Sequence, residues 1–186
     1  GKDRRVSSSS SMSPSSSSIH SNYHSFSIQK RKYFFRNFLD SDKDGIVRWK
    51  DLELLISNIE EKARKDEFIR SKMSLIALWH VITDYHEEKD EICEDEWLSI
   101  WKERKEDKCQ LMEDHIFNLF DPSGDGLIDE SEYIHVLSFF GISKDEALRS
   151  FDYIGRTSNG DPVFAIDSKR FSSLWKEFFY SDDISV

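Results

Sequence analysis

The chain has 186 residues, 26 Lys and Arg against 36 Asp and Glu, and a formal charge of −10. This length can fold without covalent staples, and the acidic balance argues against a nucleic-acid groove or a surface for anionic lipid, both of which need clustered cations. Two cysteines, Cys93 and Cys109, do not make a disulfide framework, so a reducing, cytoplasmic setting is expected.

Residues 1–26 form a Ser-rich tail, Ser7–Ser11 and Ser15–Ser18 around Met12-Ser13-Pro14, too poor in apolar residues to offset the entropy of ordering. Its three basic residues against Asp3 leave the remainder at −12. Arg4-Arg5-Val6-Ser7 has the pattern of a basic-directed kinase substrate, although flexible Ser-rich extensions match such patterns by chance. No secretory leader, myristoylation motif or membrane-spanning stretch is expected. The longest apolar run, Leu75–Ile82, contains His80 and is far short of the roughly 20 residues a span requires.

Apolar residues then recur three and four apart. The spacing predicts helices at about 27–39, 49–62, 67–84, 94–107, 109–120, 130–140, 144–154 and 168–180. Gly141 closes the sixth, and Ser143 with Glu146 reads as a capping box opening the seventh. Between the helices lie loops carrying Val47, Ile92, Ile128 and Ile166 near their ends. Four helix–loop–helix units result, and the fold class is all-α: two pairs, at 27–107 and 108–186, forming one compact body.

The strongest chemical signal is Asp121-Pro122-Ser123-Gly124-Asp125-Gly126-Leu127-Ile128-Asp129-Glu130-Ser131-Glu132, which matches the twelve-residue EF-hand calcium loop. Ca²⁺ is a hard ion that takes six to eight oxygens. Asp121, Ser123, Asp125, Asp129 and Glu132 would supply side-chain oxygens, the Asp129 contact running through a water, and Leu127 a backbone carbonyl. Gly126 permits the turn. The first loop, Asp40 to Asp51, repeats the pattern with Asp40, Asp42, Asp44, Gly45 and the Ile46 carbonyl in place. Its twelfth residue is Asp51, one methylene shorter than Glu, and its ninth is Arg48, which cannot be a ligand. Both changes lower the coordination number toward the six that Mg²⁺ prefers, so a mixed Ca²⁺/Mg²⁺ site is expected here.

The other two loops lack ligand order. Tyr85 and Lys89 stand at the first and fifth positions of the second loop, which has no glycine at the sixth; the fourth, Asp152 to Arg170, is too long. Both are expected to be structural partners.

These features resemble the sarcoplasmic calcium-binding proteins and their calexcitin-like members over residues 27–182. The resemblance rests on the first loop ending in Asp51, Asp95-Glu96-Trp97-Leu98-Ser99-Ile100-Trp101, the third loop ending Glu132-Tyr133, Phe140-Gly141-Ile142, and Phe171-Ser172-Ser173-Leu174-Trp175. It implies a monomeric calcium-binding protein, not an enzyme, that buffers calcium or relays it to a protein target. In calexcitin the second loop resembles a working site, whereas here its ligands are missing.

With only Met12, Met73 and Met112 against 14 Phe, 5 Trp and 6 Tyr, an adaptable Met-lined groove is not expected. Coelenterazine-type photoproteins and luciferin-binding proteins are the alternative reading. They too are four-EF-hand chains, but they keep a working fourth loop. His80, His115 and His135 sit near apolar faces, where a packing role is the commoner one. His20 and His24 in the tail, four apart, are read as coincidence, and no other catalytic constellation is present.

Overall fold

In a computed structural model that describes residues 26–84, 89–102, 106–157 and 159–181, helices account for most of the chain. Residues 26–34 are helical and run into a π-helical turn, Phe35–Leu39, the two together forming α1. The remaining helices are α2 (Trp49–Lys62), α3 (Lys65–Ile82), α4 (Glu94–Lys102), α5 (Glu106–Phe120), α6 (Glu130–Phe139), α7 (Lys144–Ile154) and α8 (Ser168–Tyr180). Four three-residue strands lie between them: β1 (Ile46–Arg48), β2 (Glu91–Cys93), β3 (Leu127–Asp129) and β4 (Ala165–Asp167).

The expected helices at 49–62, 144–154 and 168–180 coincide with α2, α7 and α8. The expected 94–107 helix is observed to Lys102, and α5 begins at Glu106, three residues before the expected 109. Gly141 adopts φ +77°, the left-handed conformation that ends α6. The Ser143 side chain accepts from the Glu146 N–H and the Glu146 carboxylate binds Ser143 in return, which caps α7. The tail, including Ser7, His20 and His24, lies outside the described residues. Among those described, no helix is long and apolar enough to cross a membrane.

The strands join the motifs two by two. β1 pairs antiparallel with β2, placing Val47 opposite Ile92, and β3 with β4, placing Ile128 opposite Ile166. All four side chains are 1% exposed. The two pairs meet through a broad α3–α5 packing and share one core that runs from Phe35 and Trp97 to Trp175 and Phe179. Phe34 stacks on Trp97 at 5.8 Å and meets Trp175 and Phe179 edge-on; Trp101 stacks on Phe179 at 4.2 Å. Ring pairs of this kind add about 0.5–1.5 kcal/mol each beyond burial.

The first and last described helices are also fastened to each other. Lys30 and Arg31 on α1 donate to the carbonyls of Glu177, Phe179 and Ser181 at the end of α8, where unpaired carbonyls and the helix dipole favour cations. Lys108, 8% exposed, does the same for α3, donating to the Ile82 carbonyl and to Asp84 Oδ1 at 2.7 Å.

On the surface, Glu94 at the start of α4 holds α1 through a two-pronged pair with Arg36 (2.6 and 3.0 Å) and a third contact to Lys32 (3.0 Å). Burial pushes the Glu94 carboxyl up, but the hydrogen bonds from Arg36 and Lys32 outweigh it and hold it below the usual carboxylate value. A carboxyl depressed on folding stabilises above its unfolded pKa and loses that contribution as pH falls through the folded one. Glu94→Gln is therefore expected to cost about 1 kcal/mol at pH 7, with the difference from the parent closing in acid. Urea denaturation of both proteins from pH 7 to pH 3 checks this; a gap independent of pH refutes it.

Candidate metal centre

The strand registers fix which loop positions correspond. Counting four residues on from Val47, Ile92, Ile128 and Ile166 gives Asp51, Glu96, Glu132 and Arg170. In all four this residue sits in the third position of the exit helix, and in the first three it is a carboxylate. It therefore reaches back to cap that helix with one oxygen and offers the other to the loop.

In the third loop, Glu132 Oε2 accepts from the Asp129 N–H (3.1 Å), and Oε1 from the Ser123 N–H (3.2 Å). Asp129 answers by accepting from the Glu132 N–H at 2.8 Å. Asp121 is 6% exposed and accepts from the backbone of Gly124, Asp125 and Gly126 and from Ser123 Oγ. Asp125 accepts from Leu127 N. Gly124 and Gly126 hold φ of +75° and +86°, which turn the backbone donors inward at no Cβ cost. One oxygen each of Asp121, Asp125 and Glu132 lies within 4.8 Å of the others. Two ligands on opposite sides of a Ca²⁺ ion stand about 4.6–5.2 Å apart, so this set of hard oxygens fits a single divalent cation.

The first loop is built alike, with one difference. Asp40, Asp42 and Asp51 gather their oxygens within the same 4.8 Å, and Asp40 and Asp51 are both 2% exposed. Asp51 accepts from the N–H groups of Ser41, Asp42 and Arg48; Asp40 accepts from Asp44 and Gly45. Asp44 stands outside this cluster. Its Oδ1 accepts from Ile46 N, and its Oδ2 binds Arg48 Nη1 at 2.5 Å. The Ile46 N–H and the Arg48 guanidinium hold its carboxyl below the ordinary value. Arg48 also contacts Glu91 of β2 at 3.3 Å, and Lys50 reaches Asp42 at 3.4 Å. Ile46 and Leu127 begin β1 and β3.

The remaining loops hold cations of their own. In the second, Lys89 Nζ lies 3.0 Å from Glu96 Oε1, while Glu96 Oε2 accepts from Cys93 N. The Cys93 N–H and then Lys89 lower the Glu96 carboxyl. Tyr85, and the Asp84-based register, run into residues 85–88, outside those described. In the fourth, Arg156 binds Asp152 at 2.7 Å and the Gly160 carbonyl at 3.0 Å, and Arg170 donates to the Ile154 carbonyl. Among the described residues, no group of three acidic or metal-binding side chains forms in either loop. The Arg48 ion pair is absent from the sequence reading, which placed Arg170 at the end of the fourth loop without its contact to the Ile154 carbonyl.

No protein-family model matches the chain. Calexcitin-1 of Caenorhabditis elegans is 26% identical over 174 residues, covering 89% of this chain and 85% of its own. Sarcoplasmic calcium-binding proteins I, III and IV of Branchiostoma lanceolatum are 26% identical over 166 residues, covering 81% and 87%. The chain is similar to both over most of its length. Its fold is also that of the Ca-loaded apo form of the coelenterazine-binding protein of Renilla muelleri, with TM-score 0.69, 17% identity, and 87% and 92% coverage. In this EF-hand frame, the four loops differ mainly in where their compensating positive charge comes from.

Because each loop is held by its strand partner, Ile166→Ala in the metal-free protein should lower stability by about 2–4 kcal/mol and loosen the third loop with the fourth. Hydrogen exchange at Leu127 and Asp129 would report the second effect; unchanged protection there would contradict it.

Proposed function

We propose that the chain binds two divalent cations, Ca²⁺ in the third loop and Ca²⁺ or Mg²⁺ in the first, and serves as a cytoplasmic calcium buffer or relay. The observation that carries this is the convergence of three carboxylates in each of those loops, at a spacing that fits one ion and with no third acidic partner in the other two among the described residues. The ligands are Asp121, Ser123, Asp125, Asp129, Glu132 and the Leu127 carbonyl in one loop. In the other they are Asp40, Asp42, Asp44, Asp51 and the Ile46 carbonyl. Asp44 joins by leaving Arg48. The short Asp51 and the nearby Arg48 favour a smaller coordination number, and with it Mg²⁺.

The similarity to calexcitin-1 and to sarcoplasmic proteins whose name states calcium binding supports the calcium part of this reading. The unpaired Cys93 and Cys109 suit a reducing compartment. A monomer whose loaded form engages a protein target is a relay; one without such a target is a buffer.

Calorimetric titration of metal-free protein with Ca²⁺ is expected to show two sites, one weakened by millimolar Mg²⁺. Glu132→Gln should abolish the Mg²⁺-insensitive site and spare the other. A third site, or loss of both sites in this variant, overturns the assignment.

Arg48→Gln removes the cation that holds Asp44. The first-loop affinity for Ca²⁺ should then rise about three- to tenfold, with the third loop unchanged. A fall in affinity would mean that Arg48 organises the loop.

A further inference from the structure

A cavity of about 830 Å³ lies within the helical body, walled by α1, α6 and α8 together with parts of α2, α3, α5 and α7, and falls inside the size range of small-molecule sites. Its walls are mostly apolar, and the rings among them include Phe34 and Phe38 from α1, Phe140 after α6, and Phe171 and Trp175 from α8. Rings at such positions offer flat faces. Phe38 and Phe140 meet edge-on at 5.0 Å, and Phe171 and Trp175 stack at 6.0 Å.

The second observation concerns two donors in these walls. Trp175, 6% exposed, has a buried indole N–H with no acceptor, and the Nε–H of Arg170 is likewise buried and unpaired. A buried donor left without a partner costs about 1–3 kcal/mol. Two of them beside an apolar cavity mark a place where an outside acceptor is favoured. Asp51, Glu146 and Glu177 also stand in the walls beside Arg156 and Arg170, a mixture that disfavours a net anion. Among the described residues no histidine lines the cavity, so the chemistry on the page is that of binding.

We propose that this cavity is a binding site for a neutral, planar aromatic molecule bearing a carbonyl-type acceptor, which stacks against the α1 and α8 rings and accepts from Trp175 Nε1 and Arg170 Nε. The site shares Asp51 with the first-loop carboxylate cluster and takes no carboxylate from the third-loop cluster, so binding is read both with and without Ca²⁺.

The test is titration of the full chain with 3-hydroxyflavone, followed by calorimetry and tryptophan quenching, once in excess Ca²⁺ and once in EDTA. One saturable site with a dissociation constant of roughly 1–100 µM in either condition is expected. Trp175→Phe keeps the ring and deletes the donor, and should weaken binding about tenfold with unchanged circular dichroism and Ca²⁺ titration. Should that variant melt below the assay temperature, Arg170→Lys, which keeps the charge and deletes Nε, is read instead, with the same direction expected. Absence of saturable binding in both conditions overturns the proposal. So does weak binding at many sites, or parental affinity in the folded variant.

Discussion

Three carboxylates held within 4.8 Å of one another repel, and much of the loop architecture follows from how that repulsion is met. At that spacing each like-charged pair costs about 1 kcal/mol in bulk water and about 3–4 kcal/mol at an effective dielectric constant of 20. The backbone supplies part of the answer. Asp40, Asp51 and Asp121 each accept two or more loop N–H groups, which point inward because the backbone turns at positive φ, at Lys43 and Gly45 in the first loop and at Gly124 and Gly126 in the third. Partial charges on amides offset part of a net charge and leave the rest. The second and fourth loops, where no three acids gather among the described residues, close the account with side chains, Lys89 on Glu96 and Arg156 on Asp152. The first loop stands between the two solutions, since Arg48 takes one carboxylate, Asp44, out of the cluster. The third loop has the acids and no cation bonded to them among the described residues, which leaves it the larger deficit for an outside ion to fill.

Loops that carry their own cation are still needed for the fold. A three-residue strand cannot stand alone, and Val47 and Ile128 are buried because Ile92 and Ile166 cover them from the facing strand. Burying each of these aliphatic side chains contributes about 1.5–3 kcal/mol. The second and fourth loops can thus lose ligand residues without losing their place, as long as the strand residue remains. This is the pattern the sequence shows: Ile92 and Ile166 are present although Asp90 and Phe164 stand two residues before them, where the first and third loops have Gly45 and Gly126.

The same division explains what was legible from sequence. Helices α2, α7 and α8 follow from local signals, since their apolar stripes and caps lie within the segments themselves. The acid positions of the first and third loops follow from a spacing rule that reflects one ion's coordination sphere. The π-helical turn at Phe35–Leu39 was not legible. Its defining hydrogen bond, Asp40 N–H to the Phe35 carbonyl at 2.9 Å, coexists with the burial of Phe35 and Leu39 in a core assembled from distant helices. The turning of Asp44 toward Arg48 was equally out of reach. The rotamer is shared with Glu91, more than forty residues away in sequence, and no local pattern encodes that three-way contact.

Helix α1 shows why loop and core cannot be treated apart. It delivers Asp40 to the first loop at its end, while Lys30 and Arg31 near its start hold the last carbonyls of α8 and Phe34 is wedged among Trp97, Trp175 and Phe179. A hinge motion that carried α1 away with the first motif would break four hydrogen bonds and three ring contacts in another part of the molecule. Groove-opening EF-hand proteins reduce that cost with methionines that repack. Here Met112 is 1% exposed in the core and Met73 is 66% exposed on the surface, so neither lines a closed groove ready to open. The aromatic contacts depend on ring geometry and tolerate little sliding. A cation entering the first loop would therefore act on a helix already tied to the fourth motif through α8.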